Sequence, residues 1–120
     1  MSELQMGSGE KAFAEIIWQN EPLTSGDLAK KSEEMLGWKK TTSYTVLKRL
    51  CEKGIFKNEN GTVRSLLSKS EYAARQSEQF VGETFGGSLP AFLAAFTSRK
   101  KLSEKEIEEI RKMIEDFKED

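Results

Sequence analysis

The sequence predicts a mainly α-helical fold with one small β-hairpin, and three observations carry that reading. Apolar residues recur at helical spacing both before residue 54 and after residue 70. Residues able to cap helices (Thr24 or Ser25, Ser88 and Ser103) stand where those patterns begin. Between the two helical stretches, Asn60-Gly61 separates two short runs of strand-forming character.

Each element follows in order. Residues 10–20 place Phe13, Ile16, Ile17 and Trp18 on one side of a first helix, which Glu21-Pro22 ends. Thr24 or Ser25 caps a second helix through its hydroxyl, and Asp27 is favourable in its first turn. That helix runs to about Leu36, where Gly37 supplies the stop, and Leu28, Met35 and Leu36 are expected to face the core. A third helix starts near Thr41 or Thr42 and ends at Lys53-Gly54, with Val46, Leu47, Leu50 and Cys51 as its apolar stripe. The runs 55–58 and 62–66 then form a hairpin around Glu59-Asn60-Gly61, because both central turn residues need positive φ. Further helices cover 70–85, closed by Gly86-Gly87, then a short segment capped by Ser88, then a last one opened by a capping box at 103–106. In that last helix Ile107, Ile110, Ile114 and Phe117 lie on one face. Trp18 and Trp38 read as core anchors, and part of Met1–Gly9 as lacking fixed structure.

Three helices followed by a hairpin is the order of a winged helix, whose second and third helices form a helix-turn-helix. Residues 1–69 are thus expected to be a DNA-binding domain and 70–120 a helical dimerisation domain. The chain has 120 residues, 37% hydrophobic and 32% charged, lean for a core of this size. Small, highly charged chains often bury remaining apolar surface against a second copy. The absence of histidine and the presence of one cysteine, Cys51, exclude Ser-His-Asp, Cys-His and Cys/His zinc chemistry within one chain. Adjacent acids such as Glu33-Glu34, Glu108-Glu109 and Glu115-Asp116 read as solvated helix surface, since neighbours on a helix do not face each other. The expectation is a non-enzyme with no cofactor and no metal. A lone cysteine fits a reducing cytoplasm, and Cys51 reads as a small buried hydrophobe. No signal-like segment or membrane-length apolar run points elsewhere, so the expected compartment is cytoplasmic, with no membrane partner.

The net charge of −1 is unevenly spread. Residues 38–69 hold eight Lys/Arg against two acids, a local +6, whereas 70–120 hold eight basic and eleven acidic residues, a local −3. A basic face for a polyanion and a separate acidic module follow from that asymmetry. On the third helix the core stripe leaves Thr41, Thr42, Tyr44, Thr45, Lys48 and Arg49 for other work. A recognition helix puts its N-terminal half into the major groove, where threonine methyls pack on thymine and hydroxyls reach base edges and phosphates. Lys48 and Arg49 lie farther along, placed to neutralise phosphate or read guanine. Lys57 and Arg64 flank the hairpin tip as wing contacts, or serve only as solubilising charges on exposed strands. Phe92, Phe96, Ile110, Ile114 and Phe117 are the candidate dimer interface, from a C-terminal apolar series too large for isolated helices to hide. The competing reading of that series is a monomeric helical subdomain.

Trp18-Gln19-Asn20-Glu21-Pro22-Leu23-Thr24, then Thr42-x-x-Thr45-x-Leu47-x-Arg49-Leu50-x-x-Lys53-Gly54, the wing, and Phe92-Leu93-x-x-Phe96 followed by Leu102-Ser103-x-x-Glu106-Ile107 resemble the penicillinase-repressor (BlaI/MecI/CopY) family of winged-helix transcriptional repressors. The resemblance spans about residues 6–119. It implies a cytoplasmic bacterial repressor, homodimeric through its C-terminal helices. Its partner would be a dyad-symmetric double-stranded DNA operator at genes of resistance or stress, of the β-lactam or copper type. It also implies a signal-dependent protease or sensor as partner, whose identity the sequence leaves open. Lys11 and Tyr44 stand where the family often has an aromatic and a basic residue. Ala95 precedes Phe96 where β-lactam-responsive members are cut at an Asn-Phe bond. No cysteine follows Cys51, whereas copper-responsive members end in paired cysteines, so the inducing signal stays open. The main alternative function is a winged-helix protein-interaction module without specific DNA binding.

Overall fold

The computed structural model describes residues 4–118, and six helices and three strands are found among them. In order these are α1 (Ser8–Asn20), β1 (Leu23–Thr24), α2 (Ser25–Leu36), α3 (Lys40–Glu52), β2 (Phe56–Glu59), β3 (Thr62–Ser65), α4 (Lys69–Phe85), α5 (Leu89–Arg99) and α6 (Glu104–Lys118). The winged-helix order is therefore present. The chain divides into two compact units, Met1–Gln79 and Phe80–Asp120.

The first unit owes its core to α1. Phe13, Ala14, Ile16 and Ile17 are all buried, and they meet Leu28 of α2, Val46, Leu47 and Leu50 of α3, and Ile55, Phe56 and Val63 of the hairpin. Trp18 and Trp38 pack against this cluster while partly exposed. Trp38 stacks on Phe13 at 5.2 Å between ring centroids, and the Trp18 indole N–H donates to the Leu67 carbonyl at 3.0 Å. The large rings thus anchor the rim of the core, with the polar edge of Trp18 satisfied.

Local signals set the helix ends. The Thr24 hydroxyl accepts the Asp27 N–H at 3.0 Å, and Gly37 closes α2 in the left-handed region at φ 71°. Strands β2 and β3 are antiparallel, with Lys57 opposite Arg64, and turn at Asn60 (φ 53°) and Gly61 (φ 89°). Few residues adopt successive positive φ values without strain, which is why Asn-Gly stands there. Beyond the hairpin, β1 pairs with β3 and gives the sheet order β1-β3-β2. Two residues are too few for strand alternation to show in sequence, so this third strand was not foreseeable.

The structure adjusts several expectations. Met35 is 63% exposed, because the buried stripe of α2 runs through Leu28, Ala29 and Ser32 toward the half-buried Leu36, leaving Met35 off its edge. Helix α3 begins at Lys40, so Thr41 and Thr42 lie within its first turn rather than at its start. The expectation for part of Met1–Gly9 falls partly outside the described residues, which begin at residue 4; within them Met6 is buried in the core and α1 begins at Ser8.

In the second unit, Phe80, Phe85 and Phe92 meet edge to face at 5.6–6.1 Å, and Phe96 lies 6.0 Å from Phe92. The Ser88 hydroxyl caps α5 by accepting the Ala91 N–H at 3.1 Å. Ser103 and Glu106 form the reciprocal capping box of α6, each accepting the other's backbone N–H at 3.1 Å. No residue of α5 or α6 is buried. The acidic neighbours Glu33-Glu34, Glu108-Glu109 and Glu115-Asp116 are all exposed. Cys51 is half-buried rather than buried, and burial pushes its thiol above the ordinary value.

Leu50, fully buried between α1 and the hairpin base, is expected to be the most sensitive truncation point on α3. Leu50→Ala should lower unfolding stability by about 3 kcal/mol in urea denaturation, in the range of core Leu truncations. An unchanged midpoint would remove Leu50 from the core.

Candidate nucleic-acid interface

Helix α3 has to bury one face against the core, and its 3.6-residue period decides what the other face shows. Ser43, Val46, Leu47 and Leu50 are buried. Thr41, Thr42, Tyr44, Thr45, Lys48 and Arg49 are all exposed. Thr41, Thr42, Thr45 and Arg49 come together with Val46 along a shallow groove of about 210 Å³. Tyr44 lies outside that lining, with the Lys40 ammonium 5.9 Å from its ring centroid. Lys48 is exposed and also outside the groove.

The chemistry within this face is more specific than residue type implies. Thr45 donates its hydroxyl hydrogen to the Thr41 carbonyl at 2.9 Å, a bond within the helix itself. Its oxygen remains an acceptor, and its methyl remains available for apolar contact. The cap residue of α3, Lys39, makes no side-chain bond to the first turn, and no acid stands in that turn. The partial positive charge of a helix start is therefore reinforced by Lys39 and Lys40 and opposed by no carboxylate of its own.

Arg49 is not independent. Its Nη1 lies 3.4 Å from Glu10 Oε2 on α1, and Lys53 Nζ lies 3.7 Å from the same oxygen. Partial burial raises the Glu10 carboxyl, but the Gly7 N–H and the charges of Lys53 and Arg49 outweigh it and hold the group below its ordinary value. Spacing could not have signalled this cluster, because Glu10 and Arg49 are 39 positions apart.

On the hairpin, Lys57 and Arg64 are exposed cross-strand partners. Lys57 also pairs with Glu59 at 3.3 Å, with both side chains about half exposed. Such a pair contributes little to stability and yields easily to a better partner. Two contacts fix the hairpin. The Ser25 N–H at the start of α2 donates to the Gly61 carbonyl at the tip, at 2.8 Å. The Glu21 carboxylate accepts both the Ser65 N–H and the Ser65 hydroxyl, each at 2.8 Å. Neither was anticipated from sequence.

The interface candidates of the second unit are graded in exposure. Phe92 and Ile110 are half-buried, Phe96, Ile114 and Phe117 are exposed, and Phe117 is the most open of them at 73%. Among the described residues no group of three or more His, Cys, Asp or Glu could hold a metal ion. No described helix is long and apolar enough to cross a membrane.

The family model described as penicillinase repressor matches residues 6–116, nearly the whole chain. The chain belongs to the penicillinase repressor family. This is a family of DNA-binding transcriptional repressors rather than enzymes. Members similar to this chain include the methicillin resistance regulatory protein MecI of Staphylococcus aureus (strain Mu50 / ATCC 700699), 25% identical over 92% of this chain and 93% of its own length. The penicillinase repressor of Bacillus licheniformis is 25% identical over 95% of this chain and 92% of its own. A penicillinase repressor of Staphylococcus aureus is 22% identical over 96% of this chain and 94% of its own. Family and fold agree, since the fold described above is a winged helix followed by helices.

Proposed function

We propose that the protein represses transcription by binding a dyad-symmetric operator as a homodimer in the cytoplasm, reading bases with α3 and phosphates with the hairpin. The observation that carries this reading is the two-faced α3 helix, with its core stripe buried and a groove of Thr41, Thr42, Thr45 and Arg49 facing out. Residues 1–69 carry DNA binding and 70–120 dimerisation in this reading, although the first compact unit runs on to Gln79 and takes Tyr72 of α4 into its core. The relatives are named as regulators of methicillin resistance and as penicillinase repressors, which supports resistance or stress genes as targets. A gel-shift titration on the intergenic region upstream of its own gene tests the reading, and binding no tighter than to unrelated DNA would overturn it.

The division of labour on α3 gives the first expected outcome. Threonine methyl and hydroxyl groups together with an Arg fork can discriminate base pairs in the major groove. Thr45→Ala or Arg49→Ala should each weaken operator binding by about 1–3 kcal/mol while leaving the fold intact. Operator affinity equal to the parent's in both variants would end the assignment of α3 as the reading helix.

Lys57 and Arg64 face solvent from adjacent strands, a placement suited to phosphate rather than base edges. Replacing either with Ala should weaken operator and unrelated duplexes alike. It should also make the log–log salt dependence shallower by about one. A slope equal to the parent's would reduce both residues to solubilising charges.

The dimer follows from what the second unit leaves uncovered. Phe96, Ile107, Ile114 and Phe117 are exposed, and α5 and α6 bury nothing among the described residues. A second copy would cover Phe92, Phe96, Ile110, Ile114 and Phe117. It would also set two α3 helices about one DNA turn apart. Ile110→Glu should yield a monomer by sedimentation and weaken operator binding far more than it weakens binding to half-sites, because linkage raises the effective concentration of the second module. A parent protein that is monomeric when it saturates operator would exclude the dimer.

A further inference from the structure

The Arg49 side chain is 53% exposed at one end of the α3 groove, where an unrestrained arginine would sample many rotamers. Glu10 limits that freedom. The Glu10 side chain is only 17% exposed, and its Oε1 accepts the Gly7 N–H at 3.1 Å at the start of α1. Its Oε2 faces Arg49 Nη1 at 3.4 Å and Lys53 Nζ at 3.7 Å. Lys53 is itself fixed, donating to the Gln5 carbonyl at 2.8 Å. The carboxylate is thus held by backbone on one side and by a tethered cation on the other, and one edge of the Arg49 fork rests against it.

We propose that Glu10 is a positioning residue for DNA recognition, holding the Arg49 guanidinium beside the Thr41, Thr42 and Thr45 groove so that its outward N–H groups meet one register of bases. A guanidinium has five donors, so the contact with Glu10 leaves others for DNA. Fixing the fork in advance reduces the rotamer freedom lost on binding the right sequence. On the wrong sequence, a phosphate reached only by swinging Arg49 outward has to compete with Glu10 and is repelled by its charge. Glu10 therefore serves discrimination more than total affinity. This inference rests on the reading of α3 as the recognition helix.

The test compares two duplexes: the tightest one this protein selects from random-sequence DNA, and a scrambled duplex of the same length and composition. Glu10→Gln should lower the ratio of their affinities roughly five- to tenfold, at the low end of what a bidentate base contact discriminates. Binding to the scrambled duplex should be equal or tighter. In an Arg49→Ala background, Glu10→Gln should change the ratio no further. Glu10→Asp keeps the charge but shortens the reach and should also lower the ratio, which separates position from charge and stands in if the Gln variant does not fold. A residue with only a structural role would move the thermal midpoint and leave the ratio alone. An unchanged ratio in Glu10→Gln beside a lowered one in Arg49→Ala overturns the role of Glu10 and leaves the α3 reading intact. An equal fall with and without Arg49 also overturns it. If neither Arg49→Ala nor Thr45→Ala lowers the ratio, the α3 reading fails and this inference fails with it.

Discussion

Helix α3 is held by its buried stripe of Ser43, Val46, Leu47 and Leu50, and the geometry of the first unit follows from how that stripe is seated. A helix that turns 100° per residue cannot rotate to bury a different set without exposing Leu50 and burying Thr41 or Lys48. The chain leaving α3 is tied to the same point. The Ile55 N–H donates to the Leu50 carbonyl, and the Ile55 carbonyl then accepts the N–H groups of Leu66 and Leu67 at the far end of the hairpin. Leu67 in turn holds the indole N–H of Trp18 on α1. One series of hydrogen bonds, backbone up to Leu67 and then through the Trp18 indole, therefore ties α3, the base of the hairpin and the end of α1 together. The spatial relation between α3 and the hairpin is consequently a property of the core rather than of surface loops.

Charge distribution looks different once the chain is folded. The window 38–69 has a local +6 in sequence, but Glu10 and Glu15 from α1 fold onto it. Arg49 and Lys53 share Glu10, Lys69 pairs with Glu15 at 2.8 Å, and Lys57 pairs with Glu59. Lys39, Lys40, Lys48 and Arg64 have no carboxylate within ion-pair distance among the described residues. Two of them stand at the start of α3, where the helix dipole adds to their field. Uncompensated positive charge thus concentrates at the start of α3, the end that the proposed function places in a DNA groove.

The elements legible in the sequence were those with local causes. Thr24 capping α2, Gly37 ending it, Asn60-Gly61 turning the hairpin and Ser103 with Glu106 opening α6 all act within four residues. The split of α3 into buried and exposed sets was legible for the same reason, because it rests on a local period. What escaped notice depends on distant partners. Strand β1 exists because Leu23 and Thr24 find Val63 and Thr62. Glu21 matters because Ser65, 44 positions away, folds onto it, and Glu10 because Arg49, 39 positions away, comes beside it at the surface. Met35 differs by a smaller, angular effect, since the buried stripe of α2 passes through Leu28, Ala29 and Ser32 to Leu36 and leaves its neighbour Met35 uncovered.

The second unit raises a different physical question, which concerns the size of its core. A unit of some forty residues is near the lower limit at which a chain can bury enough apolar surface to hold itself together. Four phenylalanines, Phe80, Phe85, Phe92 and Phe96, form its internal contacts, and aromatic pairs of this geometry add about 0.5–1.5 kcal/mol each beyond area burial. That is enough to orient α5 against the end of α4 but not to compensate for a row of open side chains. The α6 face of Ile107, Ile110, Ile114 and Phe117 has charge on its other sides, so its apolar side has one purpose open to it, which is burial. A surface of this kind is costly in water and favourable against a copy of itself, because a two-fold axis brings the same rows face to face. The same axis is what a palindromic DNA site demands. Under the proposed function, one pairing would cover the open rows of the second unit and bring a first unit to each half of the operator.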